Sequence, residues 1–230
     1  MASAACSAAY GGMTPAGTTA VCEGHKRGTT KRRMLASAAE VLRERGAAGV
    51  TIDEVLSRSG APRGSVYHHF PGGRNQILAE ALQFAGDSMS TAIGDAASHG
   101  PMALLREFVD LWEDVLRVSD FAAGCPVVAA AISTSEEDPR LCLEAAQIFD
   151  RWRAALARSF VADGFGDGEA AALATTMLAA IEGAVILCRS LRSAQPLRDV
   201  ADNIEFLVTG RKFVAQAKAQ THRSERFTPA

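Results

Sequence analysis

The chain has 230 residues, 48% of them hydrophobic, which is enough apolar material for a sizeable core in one large domain or in a small head plus a larger body. Alanine and leucine dominate while Tyr and Trp are scarce, which favours helices over sheets. The net charge of −2 alone argues against a nucleic-acid binder, but Lys26 to Arg74 carries 10 basic and 4 acidic residues, leaving that segment at +6 and the remainder at −8.

Residues 1–27 are rich in Ala, Gly, Ser and Thr with no periodic apolar face, and are expected to form a disordered arm. Thr29 or Thr30 is expected to cap a first helix, in which Leu35, Ala38, Ala39 and Leu42 mark one buried face and Gly46 and Gly49 the end. Thr51 caps a second helix through Arg58, with Glu54 as a capping-box partner and Gly60 as the breaker. Pro62 suits the first turn of a third helix, which Pro71-Gly72-Gly73 stops after two turns. A fourth helix spans about 75–94, and Pro101 opens a fifth. A short apolar helix follows Gly124-Cys125-Pro126. Asp138-Pro139 opens a long helix through Trp152 and Phe160, another carries Leu173 to Cys188, and Pro196 opens the last. No strand-period segment or internal repeat stands out. The fold class is therefore all-α, with about nine helices. The expected division is 28–74 as a three-helix head, 75–214 as a larger helical body and 215–230 as a frayed tail.

No run of about 20 apolar residues suggests a membrane span, and the N-terminus lacks a secretory signal pattern. The five cysteines are odd in number and form no C-x-x-C pair, so free thiols in a reducing cytoplasm are expected. The histidines show no H-E-x-x-H spacing, and neither G-x-S-x-G nor a P-loop is present, so no enzyme or cofactor is implied.

The chemistry concentrates in Thr51 to Phe70, which reads as a helix-turn-helix. A helix entering the major groove must present small and polar groups to base edges. Arg63 can fork onto a guanine or a phosphate, Gly64 lets the backbone come close, and Ser65 is a short donor. Tyr67 and His68 can donate to phosphates, while Val66 and Phe70 face inward. Thr51 offers a hydroxyl and helix N-terminal N–H groups to a phosphate.

At Thr51, Gly60, Arg63, Gly64, Tyr67, His69-Phe70-Pro71 and Arg74 the sequence resembles the TetR family of transcriptional repressors. Ala61-Pro62 stands where that family usually has Val-Ser, and Gly72-Gly73-Arg74 makes the following turn one residue longer. These departures and the Gly124-Cys125-Pro126 run are similar to the LmrA/YxaF branch. The resemblance implies DNA contacts at Thr51, Arg63, Gly64, Ser65, Tyr67, His68 and Arg74. It also implies a homodimer formed through the last two helices and a (pseudo)palindromic operator. Leu173, Val185, Ile204, Leu207 and Val208 are the expected dimer seam. Phe108, Trp112, Ile132, Phe149, Trp152, Met177 and Ile181 are the expected lining of a pocket for a small apolar or aromatic effector. Glu182, a charge in an apolar run, is expected to pair with Arg189. The fourth helix, joining body to head, is the expected transmitter. Two readings stay open: a repressor released by an effector, and a constitutive or architectural DNA-binding regulator without one.

Overall fold

The computed structural model describes residues 26–133 and 140–225, and in these the chain folds into nine helices with no strand. Most of the expected N-terminal arm and the Asp138-Pro139 helix start lie outside the described residues.

Helix α1 (Lys26–Gly49) takes in Thr29 and Thr30 as helical residues, so neither is the cap expected from the sequence. Met34, Ala38, Val41 and Leu42 are its buried stripe. At Gly46 (φ 73, ψ −177) the helical path breaks, so the last residues form a separate short turn. Helix α2 (Ile52–Ser59) is capped by Thr51, whose Oγ1 accepts from the Glu54 N–H at 3.1 Å. The Glu54 carboxylate does not reach back to complete a capping box. It takes Arg58 Nε at 2.7 Å and Arg45 Nη1 at 3.2 Å, while Arg58 Nη1 reaches Glu44 Oε2 at 2.8 Å. A charged pair nearby competes well against a backbone N–H, and here it ties α2 to the end of α1. Gly60 closes α2 in the left-handed region (φ 62), which a side chain would disfavour.

Helix α3 (Arg63–His69) begins one residue later than expected: Pro62 is its N-cap, with extended ψ of 140°. Val66 and Phe70 are fully buried against α1, as their spacing implied. Helix α4 (Gly73–Ala97) is long enough to serve both parts: Ile77, Leu78, Ala81 and Leu82 are buried near its start, and Met89, Ile93 and Ala96 near its end. At 25 residues it extends about 37 Å.

The body consists of α5 (Pro101–Val118), α6 (Pro126–Ala131), α7 (Arg140–Ala162), α8 (Asp167–Leu191) and α9 (Gln195–Glu225). Helix α7 approaches α4 closely at Gly86, where an added Cβ would lie 2.8 Å from Ile148 Cδ1. The Trp152 indole N–H is shared between Gly86 O (3.2 Å) and Ser90 Oγ (3.0 Å), so a large aromatic is buried with its one donor satisfied.

Two expectations change here. Helix α9 continues to Glu225, well into the segment from 215 where fraying was expected. By length and composition α8 is apolar enough to cross a membrane (mean hydropathy 1.9), where no such run was expected. It packs between α7 and α9, with Leu173, Met177, Ile181, Val185 and Cys188 turned into the core.

Candidate nucleic-acid interface

The residues at positions 63, 64, 67 and 68 fall on one side of a two-turn helix, and all four are exposed. Val66 and Phe70 on the opposite side anchor the helix in the head's core. Tyr67, at 65% exposure, is a large aromatic held in water by that anchoring rather than by any contact of its ring. Around Gly64 no atom lies within 4 Å of where a Cβ would stand, so the backbone there is open to close approach. Arg63 Nη2 pairs with Asp53 Oδ1 at 3.0 Å, both side chains about three-quarters exposed. In water such a pair contributes little, so a phosphate or a guanine edge can replace it.

Three sequence expectations need finer chemistry. Thr51 is exposed at the start of α2; its oxygen accepts from its own helix, which leaves the hydroxyl proton to donate outward. The Ser65 hydroxyl donates to Pro62 O at 2.6 Å, so toward a partner it offers an acceptor and not the expected donor. Arg74 is redirected most. Its Nε donates to Val50 O at 2.8 Å and its Nη2 to Ala47 O at 2.8 Å, bracing the α1–α2 connection from the first turn of α4. The guanidinium thus reaches the Val50 carbonyl and the Ala47 carbonyl, which also accepts from the Val50 N–H at 3.1 Å, so two of its donors are engaged within the chain.

A second feature lies where head meets body. The Gly124 N–H donates to Arg43 O at 3.0 Å, and Arg189 Nη2 donates to Glu44 O at 3.1 Å. Beside these bonds a half-open cleft of about 660 Å³ runs between the end of α1 and helices α6 and α8. Glu182 does not pair with Arg189, which is turned to α1. Its carboxyl accepts from the Cys125 thiol, its Oε2 is sealed from solvent without a partner, and burial pushes its pKa up to about 7. Burial, and next the Glu182 charge, push the Cys125 thiol well above the usual thiol range, the opposite of a reactive cysteine.

Of the seven residues expected to line an effector pocket, only Ile132 borders this cleft. Trp112, Trp152, Met177 and Ile181 are buried core, and Phe108 and Phe149 pack half-buried against it. The expected dimer seam is displaced as well. Leu173, Val185, Ile204 and Val208 are buried within the chain and Leu207 half-buried, because these stripes join α8 to α9. The apolar residues left outside are Ile186, Leu187 and Leu191 on α8 and Phe206, Phe213 and Val214 on α9.

A short helix with an outward polar face, braced on two partners and mounted on a helical body, defines a helix-turn-helix regulator. The comparisons agree. Residues 34–81 match the family described as bacterial regulatory proteins, tetR family, and residues 101–203 match the LmrA/YxaF-like transcriptional regulator C-terminal domain. An uncharacterised HTH-type transcriptional regulator of Mycobacterium tuberculosis is 41% identical over 172 residues, covering 73% of this chain and 88% of that one. LmrA of Bacillus subtilis is 25% identical over 183 residues, covering 79% and 97%. Among solved structures, a TetR transcriptional regulator from Chloroflexus aurantiacus superposes with a TM-score of 0.65 at 24% identity, covering 80% of this chain and 96% of that one. CifR, solved with 26-bp double-strand operator DNA, gives 0.59 at 18% identity, covering 74% and 93%. The chain belongs to the TetR family of DNA-binding transcriptional regulators.

Arg74→Met should lower stability by about 1–3 kcal/mol in urea unfolding, since it strands the Val50 carbonyl and removes one of two donors to Ala47 O, yet leave the salt dependence of DNA binding unchanged. A salt slope reduced by about one would make Arg74 a phosphate contact after all. The Glu182 carboxyl sits above its ordinary 4.5 in the folded chain. The unfolded chain therefore loses this proton first as pH rises from 4.5, and stability falls until about pH 7, then levels. Glu182→Gln should flatten that segment of the curve of urea midpoint against pH; an unaltered slope would mean the carboxyl is already ionised in the fold.

Proposed function

We propose that this chain is a cytoplasmic homodimeric repressor that binds a (pseudo)palindromic operator and is released from it by a small, mainly apolar effector. The observation that carries the reading is the outward row of Arg63, Gly64, Tyr67 and His68 on a helix fixed from behind by Val66 and Phe70. Arg63 reads a base edge or clamps a phosphate, Gly64 admits the backbone, and Tyr67, His68 and Thr51 hold the phosphates that set the register. Ser65 serves as an acceptor within the same face. The operator complex of CifR supports the same use of the head.

Dimerisation is supported by the outer apolar stripe of α8 and α9. Phe206 is 80% exposed and Phe213 72%, and a contiguous patch of large apolar groups on a water-soluble surface marks a contact site. A two-fold pairing through it would set two heads about 34–36 Å apart, one turn of DNA. Release is a population shift: an effector preferring another arrangement of head on body removes that spacing, and about 1–3 kcal/mol of coupling suffices.

Duplex selection from a random pool with the purified chain should return an inverted repeat. Recovery of no preferred duplex at low salt would sink the reading. On the selected operator, Arg63→Ala should cost about 1–3 kcal/mol and relax preference at one base position. Equal weakening on every sequence makes Arg63 a phosphate contact instead. Tyr67→Phe should weaken binding with almost no change in salt slope.

Phe206→Glu should give monomers in sedimentation and loss of operator binding. A variant that stays dimeric would move the interface elsewhere.

A further inference from the structure

The cleft at the head–body junction is of ligand size, and its walls differ in kind. Val128, Ala129 and Ile132 of α6 and Val185 and Ile186 of α8 make it apolar on two sides. Its floor holds Glu182, whose Oε2 is shut off from water and has no hydrogen-bond partner. A buried acceptor without a partner is destabilising, and a ligand that supplies a donor removes that cost. Its rim carries Arg43, Arg45 and Arg189 against Glu44, so a cation is disfavoured there. A volume near 660 Å³ falls within the usual range of about 300–1,000 Å³ for small-molecule sites.

The rim is also the latch. Arg189, a wall residue, holds Glu44 O, and Gly124, another, holds Arg43 O. Through Arg58, the same Glu44 is tied to α2. A Cβ at Gly124 would lie 2.7 Å from Arg189 Nη1, so a side chain there would push the guanidinium off its seat. The seat of α1 on the body is therefore close-fitting, and anything inserted beside it must shift α6, Arg189 or the end of α1.

We propose that this junction cleft is the effector site, and that it takes a neutral, mainly apolar molecule of bicyclic size bearing a hydroxyl donor for the Glu182 carboxyl. The assignment rests on the reading of the chain as an effector-released repressor. It differs from the sequence expectation of a pocket deep among α5 to α8. The ligand sets its rings against Val128, Ile132 and Val185, and the shift of α6 that its entry forces uncovers the sealed Glu182 Oε2 for its hydroxyl. By widening the gap between α6 and the kinked end of α1 it loosens the two latch bonds and changes the tilt of the head.

The test uses the full chain with 2-naphthol, a fluorescent bicycle with one hydroxyl, and 2-methoxynaphthalene, which has the same rings and no donor. Fluorescence titration should show saturable 2-naphthol binding at least about tenfold tighter than that of the methyl ether. Glu182→Leu should erase the difference while leaving weak binding of both. Ala129→Trp fills the cleft away from the carboxyl and should abolish both, which keeps the site testable should Glu182→Leu fail to fold. Equal affinity for the two molecules, a preference that survives Glu182→Leu, or no saturable 2-naphthol binding overturns the site. With 2-naphthol saturating, the selected operator should bind at least about tenfold more weakly to the wild-type chain, whereas adding 2-naphthol to Ala129→Trp should not alter the operator affinity that this variant has by itself. Unchanged operator affinity with 2-naphthol bound overturns the effector role. Failure to select any operator overturns the repressor reading instead, and the titrations still decide the cleft.

Discussion

The end of α1 belongs to two structures at once. An α-helix leaves its last carbonyls without partners from its own turn, and most helices satisfy them with a glycine reversal or water. Here Gly46 breaks the helical path early, and the open carbonyls are claimed from outside. Gly124 N–H and Arg189 take those of Arg43 and Glu44, from the body. Arg74, from the start of α4, takes that of Val50 and shares that of Ala47 with the Val50 N–H. The direction in which the head points is thus written in four hydrogen bonds around one kink. The apolar stripe of Met34, Ala38, Val41 and Leu42 on the same helix forms the centre of the head's core. Neither half can be repositioned without the other registering it.

The reading helix inherits its geometry from that arrangement. Seven residues are too few for a stable helix in water, so α3 exists because Val66 and Phe70 are buried and because its flanking turns are fixed. Tertiary support leaves the outer face free of structural duty. Arg63, Gly64, Tyr67 and His68 can be chosen for what they meet outside the chain, and the ion pair from Arg63 to Asp53 is weak enough to be exchanged. The basic segment on an acidic body adds orientation at long range, which raises the rate of encounter with a polyanion more than it specifies a site.

The head was largely legible in the sequence because its signals are local. Thr51 as a cap, Gly60 as a left-handed stop, and Val66 with Phe70 as inward anchors each follow from a residue's own backbone or hydroxyl chemistry within a few positions. What escaped was long-range. The partners of Arg74 lie 24 and 27 residues away, so nothing near it in the chain reveals that its guanidinium braces a kink. The two apolar stripes of α9 could not be ranked, since Ile204 and Val208 face α8 while Phe206 and Phe213 face out, and periodicity alone does not say which stripe meets the chain's own body. Aromatics at helical spacing suggested a pocket, yet Trp112 and Trp152 are buried core residues that do not border the junction cleft. Glu182 was the one legible sign of the cleft, although its expected partner, Arg189, turned out to hold α1.

Helix α8 gathers these threads because its faces do three things along one rigid rod. Leu173, Met177, Ile181 and Val185 lock it into the core, and Glu182, Ile186 and Arg189 wall the junction cleft. Ile186 is also half-exposed, beside Leu187 and Leu191 on the stripe proposed to meet a second copy. A side chain three or four positions along a helix is a neighbour in space, so cleft, latch and proposed dimer face are separated by single turns rather than by a chain of intermediaries. Packed helices shift as units rather than bending locally. A change in how α8 sits against α1 therefore reaches the head through Arg189 and, in the proposed dimer, the second copy through Ile186 and Leu187. That closeness makes the junction a more direct place from which to control head spacing than a site deep among the buried residues around Trp112 and Trp152.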